Sequence, residues 1–385
     1  MAPIGIYIHI PFCIRKCRYC DFLSWVAGEE EQNRYTEYLV REINRMELFH
    51  RQDGGEDREE AAPTVDSVFI GGGTPSLLSL ENMERIMAAV SDRFQLDPSA
   101  EVTLECNPGT ADFSRFRTYR ELGVNRLSIG VQSAVDEELG LLGRIHSFEE
   151  AKTSFLLARK AGFTNINVDL MSAIPGQTVE SYEKTLHEIL RLEPEHISAY
   201  SLIIEEGTYF YEQYQDTPPV DEETDRKMYS LTKKLLARYG YERYEISNYA
   251  KKGYSCRHNL KYWSDGDYIG FGIGAGSKIA NVRYKNETRI NRYIEGIRDG
   301  TGVAKEEEIL DREAQMSEFF ILGLRKTAGI SLKEFAERFL EDADSVYGKQ
   351  IRKFLHNGLL IQDGGRLYLS DRGLDLSNYV LCEFI

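Results

Sequence analysis

From about residue 5 to residue 250 the chain repeats one pattern, a short apolar run of strand length followed by a longer segment with apolar residues three and four apart. The strand-like runs are Gly5–Pro11, Ser67–Gly71, Glu101–Glu105, Arg126–Val131, Asn165–Met171, His196–Ile204 and Glu242–Ile246. Helical patterns between them include Glu81–Phe94, Val179–Leu192 and Glu222–Tyr239. Strands that alternate with helices pair in parallel through right-handed crossovers, which leaves few topologies. Six or so units are too few for a closed eight-fold barrel, so the pattern predicts an α/β fold built as a partial (β/α) barrel. Chemistry in such folds gathers at the C-terminal ends of the strands. The polar, acidic stretch Arg51–Pro63 reads as a solvated loop after the first helix.

The first strand-like run leads directly into Phe12-Cys13-Ile14-Arg15-Lys16-Cys17-Arg18-Tyr19-Cys20-Asp21-Phe22, a C-x3-C-x2-C loop. Three thiolates can hold three irons of a [4Fe–4S] cluster and leave the fourth open to a small chelating molecule. Structural zinc usually takes two ligand pairs, and no second C-x2-C exists in the chain. The other cysteines, Cys106, Cys256 and Cys382, are scattered, and the N-terminus has no cationic n-region of a signal peptide. Six thiols of this distribution suit a reducing cytoplasm better than a disulfide framework. One strand–helix unit later comes Gly71-Gly72-Gly73-Thr74-Pro75. Glycines there let the backbone approach an amino or carboxylate group closely, although a tight turn explains them equally well.

Charge and hydropathy exclude two classes of partner. A net charge of −15 argues against a nucleic-acid ligand, which needs a basic face. No apolar run approaches the roughly 18 residues of a membrane-spanning helix. Beyond the Gly-rich segment at residues 270–276 the character changes to three helical stretches, Asp311–Thr327, Ser331–Phe339 and Ser345–Asn357, then a hairpin turning on Asp363-Gly364-Gly365. The division is thus residues 1–295 for the (β/α) unit and 305–385 for a small winged-helix-like α+β domain. The latter carries 11 Lys and Arg against 15 Asp and Glu, so it reads as a lid or docking module rather than a DNA reader.

Taken together, the cysteine loop, the glycine loop and polar residues at successive strand ends resemble the radical S-adenosylmethionine (SAM) superfamily, in its coproporphyrinogen-oxidase-like branch. The resemblance implies a [4Fe–4S] cluster on Cys13, Cys17 and Cys20, whose open iron chelates the methionine part of SAM, and a 5′-deoxyadenosyl radical as the product of SAM reduction. It also implies SAM contacts from Tyr7, Tyr19, Gly72, Gly73, Thr74, Glu105, Gln132, Arg144 and Asp169. Physically the set is coherent, because SAM offers an ammonium, a carboxylate and two ribose hydroxyls to these donors and acceptors.

Two features choose within the branch. The decarboxylating enzymes carry a fourth cysteine as C-x3-C-x2-C-x-C and an N-terminal extension, whereas here Phe22 stands in that place and twelve residues precede the loop. His258-Asn259-Leu260-Lys261-Tyr262-Trp263 matches the HNxxYW motif of the heme-chaperone family of this branch. That resemblance implies heme as bound cargo, heme-accepting proteins as partners and a cytoplasmic location. SAM cleavage as a trigger stays open, as do a homodimer and the rival activity, oxidative decarboxylation of coproporphyrinogen III. His258 has two readings, a heme ligand with Asn259, Tyr262 and Trp263 around it, or a turn cap over a core filled by the two aromatics. Cys256 likewise reads as a soft ligand or a buried structural thiol. Gly276 stands where the branch often has histidine.

Overall fold

The computed structural model describes residues 2–46 and 63–385, so most of the Arg51–Pro63 stretch lies outside the described residues. Six strands, β1 (Ile4–Ile10), β2 (Thr64–Gly72), β3 (Gln95–Cys106), β4 (Arg126–Gln132), β5 (Ile166–Ser172) and β6 (His196–Ser201), lie side by side in chain order, all parallel. The helices between them are α1 (Glu29–Arg45), α2 (Leu80–Arg93), α3 (Phe113–Glu121), α4 (Asp136–Leu142), α5 (Phe148–Lys160) and α6 (Val179–Leu190). Four of the six start where a side chain caps them: Ser79 accepts from Asn82 N–H, Asp112 from Arg115 N–H, and Ser147 and Thr178 form capping boxes.

The period-two pattern of the strands decides which face meets the helices. In β1, Ile4, Ile6, Ile8 and Ile10 are buried in the large apolar core, while Gly5, Tyr7 and His9 alternate with them toward the other face. The same alternation places Ser67, Phe69 and Gly71, then Glu101, Thr103 and Glu105, then Arg126, Ser128 and Gly130, then Asn167 and Asp169 on that inner face. Each isoleucine fully buried on the outer face contributes about 1.5–3 kcal/mol. The inner face is left free for polar work.

The run Glu242–Ile246 departs from expectation. Following α7 (Tyr209–Tyr214) and α8 (Glu222–Arg238), it yields a two-residue β7 (Glu242–Arg243) and β8 (Asn248–Ala250), and β8 pairs antiparallel with β6. No crossover helix separates the two short strands, so the chain can only turn back on itself. After α9 (Arg257–Trp263), β9 (Tyr268–Phe271) pairs parallel with β1 on its free edge. Then β10 (Gly276–Ile279), β11 (Val282–Asn286), α10 (Ile290–Asp299) and β12 (Ala304–Ile309) extend that edge antiparallel, giving twelve strands. The large sheet does not close into a barrel.

The remaining residues form α11 (Arg312–Gly323), β13 (Ile330–Ser331), α12 (Leu332–Phe339), α13 (Ala343–His356), β14 (Leu360–Asp363), β15 (Arg366–Leu369), α14 (Asp371–Asp375) and α15 (Ser377–Leu381), around a separate apolar cluster rich in phenylalanine. The hairpin turns on Gly364 and Gly365 at φ +55° and +77°, the left-handed pair that a two-residue turn requires. Among the described residues no helix is long and apolar enough to cross a membrane.

Candidate functional site

At the C-terminal ends of β1–β6 a cavity of about 350 Å³ opens on the inner face, within the range that holds a small ligand. Cys13, Cys17 and Cys20 stand on its lip, and Tyr19, Gly72, Gly73, Glu105, Gln132, Arg144 and Asp169 line it below. Ten of the residues drawn from separate strand ends of the sequence therefore meet in one place. Thr74 lies beneath the lip, donating toward Cys13 Sγ (3.6 Å) and accepting from Asn107 Nδ2 (2.7 Å). Tyr7 is half-buried, with its hydroxyl on His9 Nδ1 (2.9 Å) and its ring beside Phe69, outside the lining set.

Backbone contacts hold the two loops together. Gly73 N–H donates to Ile10 O (2.8 Å) and Thr74 N–H to Phe12 O (2.7 Å). A Cβ at Gly73 would come within 2.7 Å of the Phe12 carbonyl, and one at Gly72, at φ +113°, would strike the His9 ring. The glycines are required by close approach of the loops as well as by conformation. Gly72 N–H also donates to Glu105 Oε2 at 2.9 Å. Gln132 sits at φ +69° where the β4–β5 register shifts, and its Oε1 accepts from the Tyr200 hydroxyl at 3.1 Å. A non-glycine residue in the left-handed region costs of order 1–3 kcal/mol and marks a strand end shaped for a ligand.

Two buried carboxylates and two buried guanidiniums set the electrostatics of the cavity. Burial, and then Asp169, push Glu105 up to about 8. Burial raises Asp169 as well, against the hydrogen bonds it accepts from Asn167 Nδ2 (2.7 Å) and Ser128 Oγ (3.2 Å). Arg144 is fixed by Asn107 Oδ1 (2.7 Å) and Gly130 O (2.6 Å), and its other terminal nitrogen reaches Cys17 Sγ at 3.7 Å. Thiolates carrying iron would gain from that guanidinium and from the Thr74 hydroxyl. Burial pushes the Cys20 thiol up to about 11, and a bound metal would favour its thiolate. Among the described residues no three His, Cys, Asp or Glu side chains gather closely enough for a single ion. An iron–sulfur cube asks for sulfurs spread over three irons, and the three half-exposed cysteines with two donors on their sulfurs fit that donor set.

The structure adds residues that motif reading passed over. Arg126 is fully buried on the cavity floor, and its Nε has no hydrogen-bond partner, as is also true of Asn248 Oδ1 in the same wall. The signal for Arg126 was its place in Arg126-Leu-Ser128-Ile-Gly130, where alternation sends it to the inner face. Asn107, Asn167 and Tyr200 complete the wall.

The HNxxYW segment forms α9, which lies across the inner face of β1–β3. Glu101 of β3 caps its start, accepting from Arg257 N–H (3.1 Å), His258 N–H (3.2 Å) and the Cys256 thiol (3.4 Å). Both ring nitrogens of buried His258 are engaged, Nδ1 with Ser67 Oγ (3.0 Å) and Nε2 with the Tyr262 hydroxyl (2.9 Å). Burial, with Lys261 and Arg126 nearby, lowers its pKa to about 3. Trp263 stacks under the Arg325 guanidinium at 4.5 Å, and burial pushes the Cys256 thiol up to about 12. Only Asn259 of this motif reaches the cavity. A Cβ at Gly276 would meet nothing within 4 Å. A larger cleft of about 800 Å³ opens beside α1 and α10, but of its two carboxylates Glu42 is already taken by Gly272 N–H, Asn286 Nδ2 and the Tyr293 hydroxyl, and Asp299 is paired with Arg298.

Residues 7–189 match the radical SAM superfamily model, and residues 310–376 match the HemN C-terminal domain model. The superfamily implies a [4Fe–4S] cluster and SAM. Among curated relatives, the heme chaperone HemW of Bacillus subtilis is 36% identical over 98% of this chain and 98% of its own length. The heme chaperone HemW of Lactococcus lactis is 33% identical over 100% and 97%, and that of Escherichia coli 40% over 78% and 79%. A solved coproporphyrinogen III oxidase (HemN) from Escherichia coli superposes with a TM-score of 0.87 over 99% of this chain and 90% of that one, at 22% identity, which establishes the shared fold. With cysteine lip, polar strand-end cavity and full-length likeness in agreement, the chain belongs to the HemW family of the radical SAM superfamily.

Proposed function

We propose that this chain is a heme chaperone that binds heme and hands it to heme-requiring proteins, with a cluster- and SAM-binding core beneath the cargo. The observation that carries the reading is the end-to-end likeness to curated heme chaperones, which spans both the (β/α) unit and the small C-terminal module. In this reading Cys13, Cys17 and Cys20 hold a [4Fe–4S] cluster. SAM lies in the cavity against Tyr19, Gly72, Gly73, Thr74, Glu105, Gln132, Arg144 and Asp169, with Tyr7 behind. Bound together, cluster and SAM supply one-electron reductive cleavage chemistry.

The chain's own residues do the positioning. Glu105, held by Gly72 N–H, accepts from a cationic amine. Arg144 offers a fixed guanidinium to a carboxylate and to the Cys17 sulfur. Asp169 accepts from ribose hydroxyls, and Arg126 below partly offsets the burial that raises both acids. The C-terminal module connects to the cavity wall through Thr327 N–H on Tyr244 O (3.0 Å), the Tyr244 hydroxyl on His196 Nε2 (2.8 Å) and His196 Nδ1 on the lining residue Asn167 (2.6 Å). That path suits a docking module for client proteins.

Anaerobic reconstitution followed by hemin titration and transfer to an apo-heme protein tests the reading. Saturable Soret change with transfer is the expected result. Consumption of coproporphyrinogen III with CO2 release and SAM turnover would replace it by the decarboxylase reading.

A further inference from the structure

Heme, on the reading above, needs a seat that α9 does not offer, since His258 has both ring nitrogens bonded and is buried. We infer that heme docks on the rim of the cavity, its apolar ring edges against Ile14, Phe22 and Ile203 and its propionate carboxylates toward Arg15 and Lys16. This placement rests on the heme-chaperone reading.

Large apolar side chains are seldom left in water together, yet Ile14, Phe22 and Ile203 are 52%, 61% and 68% exposed. They come from two segments that are joined into one rim. Phe210 N–H donates to Arg18 O (3.0 Å), and the Arg18 guanidinium lies over the Tyr209 ring at 5.4 Å. Leu202 and Ile204 pack in the same small apolar cluster as Tyr19, which turns Ile203, between them, outward. Phe22, Arg15 and Lys16 also border the cavity mouth itself.

Charge selects the ligand class. The chain is acidic, at −15, but the rim carries Arg15, Lys16 and Arg18 within four residues. Asp21, Glu205 and Glu206 lie along the same segments, so the cationic side is confined to one end. A planar apolar molecule with carboxylates on one edge matches that layout. Neither rim segment, residues 14–22 or 201–209, contains histidine or methionine. Binding through ring edges and propionates leaves the iron's axial positions to the receiving protein, as a carrier requires.

The test titrates hemin into cluster-reconstituted full-length protein and follows the Soret band. Ile14→Glu/Ile203→Glu and Arg15→Glu/Lys16→Glu are each expected to weaken binding roughly tenfold or more. Iron content and binding of labelled SAM in Ile14→Glu/Ile203→Glu should match the parent. If iron is lost, Ile203→Glu alone, outside the cysteine loop, decides the matter. Parental hemin affinity in both double variants overturns the rim site while leaving the chaperone reading standing. Absence of saturable hemin binding in the parent overturns that reading itself.

Discussion

The cysteine loop and α9 are the two segments whose motifs stand out most in the chain, and the fold treats them oppositely. Residues 13–22 hold three half-exposed thiols and outward-facing cations and apolar side chains. Residues 257–263 are packed across the inner face, with His258, Tyr262, Glu101 and Ser67 joined in a closed hydrogen-bonded set. A motif residue with every polar atom satisfied has no free chemistry to offer a ligand. Recognisable residues are therefore of two kinds, those kept for a ligand and those that build its floor.

Substituting the loop should produce the largest effect. Cys17→Ala is expected to abolish the [4Fe–4S] absorbance and SAM binding together while the apoprotein keeps its far-UV circular dichroism. Retention of three or more irons per chain by that variant would break the distinction at its stronger end.

On the other side, Glu101→Leu removes the carboxylate that caps α9 and leaves Arg126 buried beside one acid fewer. Unfolding in urea should show a loss of about 3–6 kcal/mol, since the Arg257 and His258 N–H groups lose a charged acceptor at about 1.5–3 kcal/mol each. A change within experimental error would mean that α9 is not anchored there.

His258→Ala sharpens the contrast further. It should lower stability by about 1–3 kcal/mol, because Ser67 and Tyr262 lose a buried partner, while hemin affinity stays at the parental value. A lost Soret shift in a folded His258→Ala protein would move α9 to the ligand side of the comparison.

The smallest expected effect concerns pH. With Glu105 raised to about 8 in the free protein, binding a cationic ligand below that pH must first release its proton. SAM affinity should therefore rise with pH from 6.5 and level off above about 8, by roughly tenfold per unit at most. Equilibrium dialysis with Glu105→Gln should give a flatter curve, and an unchanged slope would assign the titration elsewhere.

Much of the site was legible because its parts are local. Cys13, Cys17 and Cys20 lie on one loop, Glu105 and Gln132 lie at the ends of β3 and β4, and Asp169 falls on the inner face of β5 by its period-two pattern. What escaped reading depended on partners far away in sequence. Arg126 looks like an ordinary strand residue until Glu101, Asp169 and Cys256 surround it. The short β7 and β8 looked like one more parallel strand, since a local apolar run does not encode its direction of pairing.

The sequence by itself determined the parallel α/β frame, the cysteine lip and the polar strand ends, because alternation and loop spacing are short-range properties that survive in one dimension. Only the tertiary structure decided which motif residues remain available. Availability is set by burial and by hydrogen bonds such as Ser67 to His258, 191 residues apart, and no local pattern carries that information.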